Sequence, residues 1–221
     1  MVPEGQAAAL ALFAKAPLPG GVKTRLSGVL GLSGAEEFHR LCVLHSWGRL
    51  SGIPGVHSFL YCDAPWAEFE SLAGSGRFRI QRGKDLGERM FNCLGELLGS
   101  GFSRALIIGS DAPTMPLAQV EEALDALSRA DAVLGPCEDG GFTLVAARRT
   151  HPLMFSGVAW SRADTRASTL ETFSACGLES SETPTWAYDV DRPLDLERLR
   201  KDTGLSGDLR EWLNRRSGIG S

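Results

Sequence analysis

Two segments of this 221-residue sequence carry side chains suited to holding phosphate. The first runs Lys15-Ala-Pro-Leu-Pro-Gly-Gly-Val-Lys-Thr-Arg25, with Lys15, Lys23 and Arg25 as cations and no acid among them. Gly20 and Gly21 let its backbone approach a ligand closely. One such cation about 4 Å from a phosphate charge contributes about 4 kcal/mol at an effective dielectric near 20. A solvated basic surface loop is the alternative reading. The loop is not a P-loop, because Pro17 and Val22 stand where that motif requires glycine. The second segment is Ser110-Asp111-Ala112-Pro113. Asp111 can offer oxygen to a hard divalent cation that bridges carboxylate to phosphate, or it can simply start a turn.

Three further segments add candidates. Glu138-Asp139-Gly140-Gly141 places two acids before two glycines; this is either an ordinary turn with glycine at positive φ or a pair of acids that hydrogen-bond ribose or acceptor hydroxyls. In Tyr188-Asp189-Val190-Asp191, an extended backbone points Asp189 and Asp191 to one side. Asp191 can cap a following helix that has Pro193 in its first turn, ligate a metal, or both. Gly83-Lys84-Asp85-Leu86-Gly87-Glu88-Arg89 joins a strand to a helix, with Asp85 as its cap or the helix N-terminus facing an anion or a base edge.

These residues need a scaffold that brings them together. Uninterrupted apolar runs at Ala7–Ala14 and Arg104–Gly109 read as strands buried on both faces. Val56–Cys62, Arg77–Gln81, Asp131–Leu134 and Phe142–Ala147 read as further strands. Helices are expected over Ser33–Leu50, where Ser33 and Glu36 form a capping box, and over Gly87–Leu98 and Leu117–Leu127. Another starts at Ser161 or Asp164 and reaches Cys176, and a last one runs from after Asp191 to near Leu199. Strands alternating with helices imply a mostly parallel, doubly wound sheet in a single domain spanning residues 1–221, with one antiparallel excursion around Gly140-Gly141. Such sheets bind ligands outside the carboxyl ends of their strands, where both the basic loop and Asp111 fall.

Composition narrows the partners. With 23 basic and 27 acidic residues, the net charge of −4 gives no general attraction to nucleic acid polymers. Five scattered cysteines without a CxxC pair fit reduced thiols in the cytoplasm better than disulfides or a zinc site. Met1–Gln6 has no basic leader, the first apolar run is too short to span a bilayer, and the tail Gly218–Ser221 reads as frayed.

Taken in order, the motifs resemble a known family. Phe13-Ala-Lys15-Ala-Pro-x-Pro-Gly20-x-Val-Lys23-Thr-Arg25-Leu, Gly83-x-Asp85-Leu-Gly-Glu-Arg89-Met, Ile108-Gly-Ser-Asp111-x-Pro, Leu134-Gly-Pro-x-Glu138-Asp139-Gly140-Gly141, Trp160-Ser161 and Asp189-Val-Asp191-x-Pro-x-Asp195-Leu are similar to the signatures of bacterial glycosyltransferases with the GT-A, nucleotide-diphospho-sugar transferase fold, some of them assigned to arsenosugar biosynthesis. The resemblance implies an α/β fold, a three-layer α/β/α sandwich with a mixed sheet. It implies that Asp111 is the metal-binding aspartate, although Ser110 and Ala112 break the usual DxD. Similarity of the late Asp-Val-Asp to that of cytidylyl- and guanylyltransferases implies Asp191 as the second carboxylate, with Asp189 next. Phe142 replaces a tyrosine the family often carries.

The expected activity is transfer from a nucleotide-activated sugar to a small-molecule acceptor, with Mg2+ or Mn2+ at Asp111 and Asp191. Lys15, Gly20, Gly21, Lys23 and Arg25, with Asp85, Arg89, Gly140 and Gly141, would hold the nucleotide, and Asp139 or Glu138 would orient or deprotonate the acceptor. Two other readings stay open. One is a nucleotidyltransferase that joins an NTP to a phosphorylated small molecule; the other is a non-catalytic nucleotide-binding module.

Overall fold

A computed structural model describes residues 7–216, so the readings for Met1–Gln6 and Gly218–Ser221 lie outside the described residues. The chain opens with β1 (Ala8–Ala14), a 3-10 turn over Thr24–Leu26, α1 (Ser27–Leu30) and α2 (Leu32–Leu50). It continues through β2 (Val56–Cys62), α3 (Ala67–Ala73), β3 (Phe78–Ile80), α4 (Leu86–Gly99), β4 (Arg104–Gly109) and α5 (Ala118–Ala126). The second half holds β5 (Ala132–Pro136), β6 (Phe142–Ala147), α6 (Thr165–Ala175), β7 (Ser180–Glu182), α7 (Pro193–Lys201) and α8 (Gly207–Arg215).

Seven strands form one mixed sheet in the order β3-β2-β1-β4-β6-β5-β7. All neighbours are parallel except β6, which runs antiparallel to both β4 and β5. The antiparallel excursion is therefore β6, and it follows from the short Cys137–Gly141 turn that leaves no room for a crossover helix. The register pairs Phe13 of β1 with Tyr61 of β2 on one side and with Gly109 of β4 on the other.

The apolar run of β1 is buried on both faces because helices cover both. Ala8, Leu10, Leu12 and Ala14 cluster with Val43 and Trp47 of α2, Phe69 of α3 and Val120 and Ala123 of α5. Ala9, Ala11 and Phe13 cluster with Met90, Leu94 and Leu97 of α4 and Phe173 of α6. A third cluster joins the other side of α2 (Phe38, Leu41, Cys42) to Leu196 and Leu199 of α7 and Leu209, Trp212 and Leu213 of α8. Because α2 is packed on two sides, its apolar residues do not form a single stripe.

The structure departs from the sequence reading in several places. No Ser33–Glu36 capping box forms; Gly31, at φ 71°, precedes α2 without a side-chain cap. Glu36 instead accepts a hydrogen bond from the backbone N–H of Gly20 at 3.3 Å, so its carboxylate serves the basic loop. Residue 164 precedes α6, but the Asp164 carboxylate bonds Arg162 at 2.9 Å and does not cap the helix. Helix α7 is not the last, and α3, α8 and β7 are additional elements.

Helix α8 holds α2 from outside, with Phe38 and Trp212 ring centroids 5.9 Å apart and Trp212 only 4% exposed. Trp212→Ala is expected to cost about 3–5 kcal/mol and lower Tm by roughly 6–20 °C. A thermal melt showing a drop under about 3 °C would mean that α8 lies outside the cooperative unit.

Candidate active site

The sheet reverses direction of growth at β1. The chain adds β2 and β3 on one side, then returns to place β4 on the other. Sheets of this kind take ligands in a crevice outside the carboxyl ends of the strands at such a switch point, here β1 and β4, and the basic loop and the Asp111 segment leave the sheet side by side there.

The loop after β1 is built, not slack. Ala16 N–H donates to the Asp63 carboxylate at 2.7 Å, the carbonyl of Lys15 is 2.9 Å from His39 Nε2, and Gly21 N–H donates to the Leu18 carbonyl at 2.9 Å. Gly20 sits at φ 68°, where a side chain would be strained. Lys23 adopts φ 46°, a left-handed conformation that is uncommon for a residue with a Cβ. Lys15 and Arg25 are exposed.

Lys23 does not project into solvent. Its side chain is 2% exposed, and Nζ lies 2.5 Å from Asp111 Oδ1, 2.9 Å from Asp191 Oδ1 and 2.8 Å from the Val190 carbonyl. Burial alone would lower the ammonium's pKa, but Asp111 and Asp191 outweigh it and the net shift is upward. The reciprocal balance holds at Asp111, where burial pushes the carboxyl upward and Lys23 takes it below the ordinary range. Asp111 keeps half its side chain exposed and Asp191 41%, so both carboxylates also face the crevice. Arg25 approaches Asp191 at 3.6 Å.

The segment that delivers Asp191 is fixed from both ends. Val190 N–H donates to the Asp111 carbonyl at 2.9 Å. Arg192 precedes α7 with Pro193 in its first turn, and the Asp195 carboxylate accepts from the N–H groups of Asp191 and Arg192 at 3.0 and 2.7 Å. Asp191 is therefore not the helix cap, and its carboxylate is left for the crevice. Tyr188 is anchored through Asp202 at 2.6 Å, which also accepts from Thr114 at 2.6 Å.

Asp189 is partly buried. Desolvation first, then repulsion from Asp111, with smaller contributions from Asp139 and Asp191, pushes its carboxyl up to about 7 against the pull of Lys23. Asp139, exposed, accepts from Gly141 N–H at 2.8 Å. Carboxylate oxygens of Asp139 and Asp189 and the thiol of Cys137 lie within 4.8 Å of one another. Asp111, Asp139, Asp189 and Asp191 thus interact through one crowded field, with a single buried ammonium inside it. Oxygen donors in excess of cations fit a hard divalent ion.

Other candidates have structural partners. Both Glu138 oxygens are held by Arg198 at 2.5 and 2.7 Å, and this pairing lowers the Glu138 carboxyl pKa. Arg198 also lies 3.7 Å above the Tyr188 ring. A carboxylate so paired is a poor base, so the geometry favours Asp139. Gly140, at φ 89°, packs so closely that an added Cβ would sit 2.1 Å from the Ala163 carbonyl oxygen. Gly141 N–H serves Asp139. Asp85 caps α4 by accepting from Glu88 N–H at 2.9 Å, and Arg89 Nε donates to the Gly83 carbonyl at 3.2 Å. These last two sit at the start of α4, after β3, two strands away from β1 in the sheet.

This architecture has counterparts. A protein from Desulfovibrio desulfuricans G20 described as a "putative nucleotide-diphospho-sugar transferase" superposes with a TM-score of 0.85 and 28% identity, over 97% of this chain and 96% of that one.

The chain has the nucleotide-diphospho-sugar transferase fold.

Residues 54–162 match the family described as uncharacterized protein conserved in bacteria, DUF2064. That match takes in Asp85, Asp111 and Asp139 but neither the basic loop nor Asp191. Two more distant structures share the nucleotide-diphospho-sugar transferase fold. CMP:2-keto-3-deoxy-manno-octonic acid synthetase, in complex with CTP, gives a TM-score of 0.56 at 16% identity, over 87% of this chain and 96% of that one. Glucosyl-3-phosphoglycerate synthase from Mycobacterium tuberculosis gives 0.51 at 15%, over 98% and 82%. The fold and the family resemblance carried by the motifs are thus found together in this chain.

The crowding at Asp189 has a measurable consequence. Unfolded, an aspartate titrates near 3.9, whereas folded Asp189 titrates at about 7. Between these values the folded chain keeps a proton that the unfolded chain has lost, so this group's contribution to stability falls as pH rises through the window. Asp189→Asn has no such proton, and its Tm advantage over the wild type should widen from about pH 4 to about pH 7 and then level off. Parallel Tm–pH profiles in a chelating buffer would contradict the crowding.

Proposed function

We propose that this chain is a metal-dependent transferase acting on a nucleotide-activated sugar, with a small-molecule acceptor, in the cytoplasm. The observation that carries the reading is the convergence of Asp111 and Asp191 on one buried ammonium, beside the glycine loop, at the switch point of a nucleotide-diphospho-sugar transferase sheet. Among the described residues no helix is long and apolar enough to cross a membrane.

Each residue has a role that follows from its surroundings. Lys15 and Arg25, exposed on the loop, meet the diphosphate oxygens, while Gly20 lets the backbone curve towards them. Lys23 stays behind the carboxylates and fixes their spacing. Asp111 and Asp191, with Asp189 next to them, would hold a Mg2+ or Mn2+ ion, which would neutralise the charge that develops on the leaving diphosphate. Asp139, oriented by Gly141, accepts the proton of the acceptor hydroxyl or aligns it. Glu138 braces the turn through Arg198.

Asp111→Asn should abolish the Mn2+-dependent rise in Tm that a nucleotide sugar gives the wild type. Such a rise follows from ligand binding to the folded state, which adds about 2.7 kcal/mol at a hundredfold excess over Kd. An equal rise in the variant overturns the assignment. A second reading, nucleotidyl transfer, draws support from the shared fold of the CTP-bound synthetase and from the cationic loop, which suits a triphosphate. Release of pyrophosphate from an NTP and a phosphorylated acceptor marks that reaction, whereas release of a nucleoside diphosphate from a nucleotide sugar marks the first.

A further inference from the structure

Cys137 is a buried thiol, 1% exposed, that the proposed reaction does not use. It stands beside the two carboxylates that Lys23 leaves unpaired. Lys23 engages Asp111 and Asp191. Among the described residues no basic nitrogen lies within 4.0 Å of Asp139 or Asp189, although basic partners hold Asp111, Asp191 and Glu138. The sulfur and one oxygen from each of these two carboxylates lie within 4.8 Å of one another.

The three groups come from two segments locked together. Gly140 N–H donates to the Cys137 carbonyl and Cys137 N–H to the Gly141 carbonyl, both at 3.1 Å, so Cys137 and Asp139 share one tight turn. Between them, Glu138 is drawn aside by Arg198. Residue 137 bridges Ala187 in parallel, and Glu138 N–H donates to the Ala187 carbonyl at 3.1 Å, which sets the turn against the segment leading to Asp189. Asp139 is held in place through Oδ1, which accepts from Gly141 N–H at 2.8 Å.

We propose that Cys137, Asp139 and Asp189 form a second cation site for a thiophilic divalent ion of the Zn2+ type, separate from the oxygen site at Asp111 and Asp191. Zinc takes thiolate sulfur at about 2.3 Å and carboxylate oxygen at about 2.0–2.2 Å in tetrahedral geometry, so the three atoms close to about 3.5 Å and a fourth position remains for water. Mg2+ has no use for the sulfur. The thiol proton leaves to solvent as the metal–sulfur bond forms. Since Asp139 is the acceptor-side carboxylate and Asp189 adjoins Asp191, filling this site blocks transfer. That regulatory half rests on the proposed function, whereas the site itself does not.

Co2+ titrated into the metal-free protein is the test, because cobalt bound to thiolate gives a near-ultraviolet charge-transfer band that oxygen-only coordination does not. The band should appear in the wild type and in Asp111→Asn, disappear in Cys137→Ser and weaken in Asp139→Asn, an exposed change that leaves the core intact. Competition with a Zn2+ chelator should show affinity falling more than about tenfold in both ligand variants. No band at saturating Co2+, or a band that survives Cys137→Ser, overturns the proposal. Mn2+-dependent nucleotide binding, measured separately without Co2+, tells failure of the functional reading from failure of this site.

Discussion

The site is organised by the burial of one positive charge. The Lys23 ammonium is almost fully removed from water and survives there only because two carboxylates and a carbonyl surround it. Taking a charge out of water costs several kcal/mol, and removing one partner of a buried pair typically costs about 3–5 kcal/mol. The three segments that supply those partners, the loop after β1, the end of β4 and the stretch before α7, are therefore bound to one another across 168 residues of sequence. The left-handed backbone at Lys23 is part of the same bargain, since a conformation worth of order 1–3 kcal/mol of strain persists only where its surroundings over-determine it.

The remaining fold serves that convergence. Parallel pairing of β1 with β4 puts the ends of both strands at one level. Helix α2 stands behind the loop with one side on the sheet and the other under α7 and α8. It contributes Glu36 and His39 as backbone supports for the basic loop. The same α7 that closes the outer cluster begins immediately after Asp191, so packing of Leu196 and Leu199 sets the position of a site carboxylate. Core and site share these residues, which is why mutations at their seam alter both.

Much of this was legible in the residues, and what was not has identifiable causes. Strands β2, β4 and β6 could be bounded to the residue because their largely apolar stretches end at Asp63, at Gly109 and at Arg148. Asp111 could be nominated because an acid at a strand end has few core roles, and the Asp189–Asp191 pair because of its alternating spacing and its resemblance to the late Asp-Val-Asp of cytidylyl- and guanylyltransferases. Helix α8 was missed although Leu205, Leu209, Trp212 and Leu213 have helical spacing, because Gly204 and Gly207 interrupt the pattern. Strand β7 is Ser-Ser-Glu at an edge and carries no apolar signal. The capping-box pattern at Ser33 failed because Glu36 has a tertiary partner that local spacing does not encode. The fate of Lys23 was unreadable for the same reason: a lysine in a glycine loop looks the same whether it faces phosphate or carboxylates 88 and 168 positions away.

Charge balance then limits what the crevice can accept. Asp111, Asp139, Asp189 and Asp191 bring four carboxylates, and Asp189 holds its proton up to about pH 7 because burial, and then the neighbouring carboxylates, disfavour its charge. Lys23 is spent and sealed from solvent, which leaves the exposed Arg25, 3.6 Å from Asp191, and the exposed Lys15 as the other cations of the loop. A diphosphate entering such a field brings further negative charge, and two screened surface side chains cannot offset both it and the carboxylates. In the proposed reaction a phosphorylated ligand would therefore enter this crevice together with additional positive charge, for which oxygen-rich donors suit a hard divalent ion. The sulfur of Cys137 lies outside that logic. A thiol adds nothing for a hard ion, so its place among the two carboxylates without basic partners gives the crevice a second, softer preference.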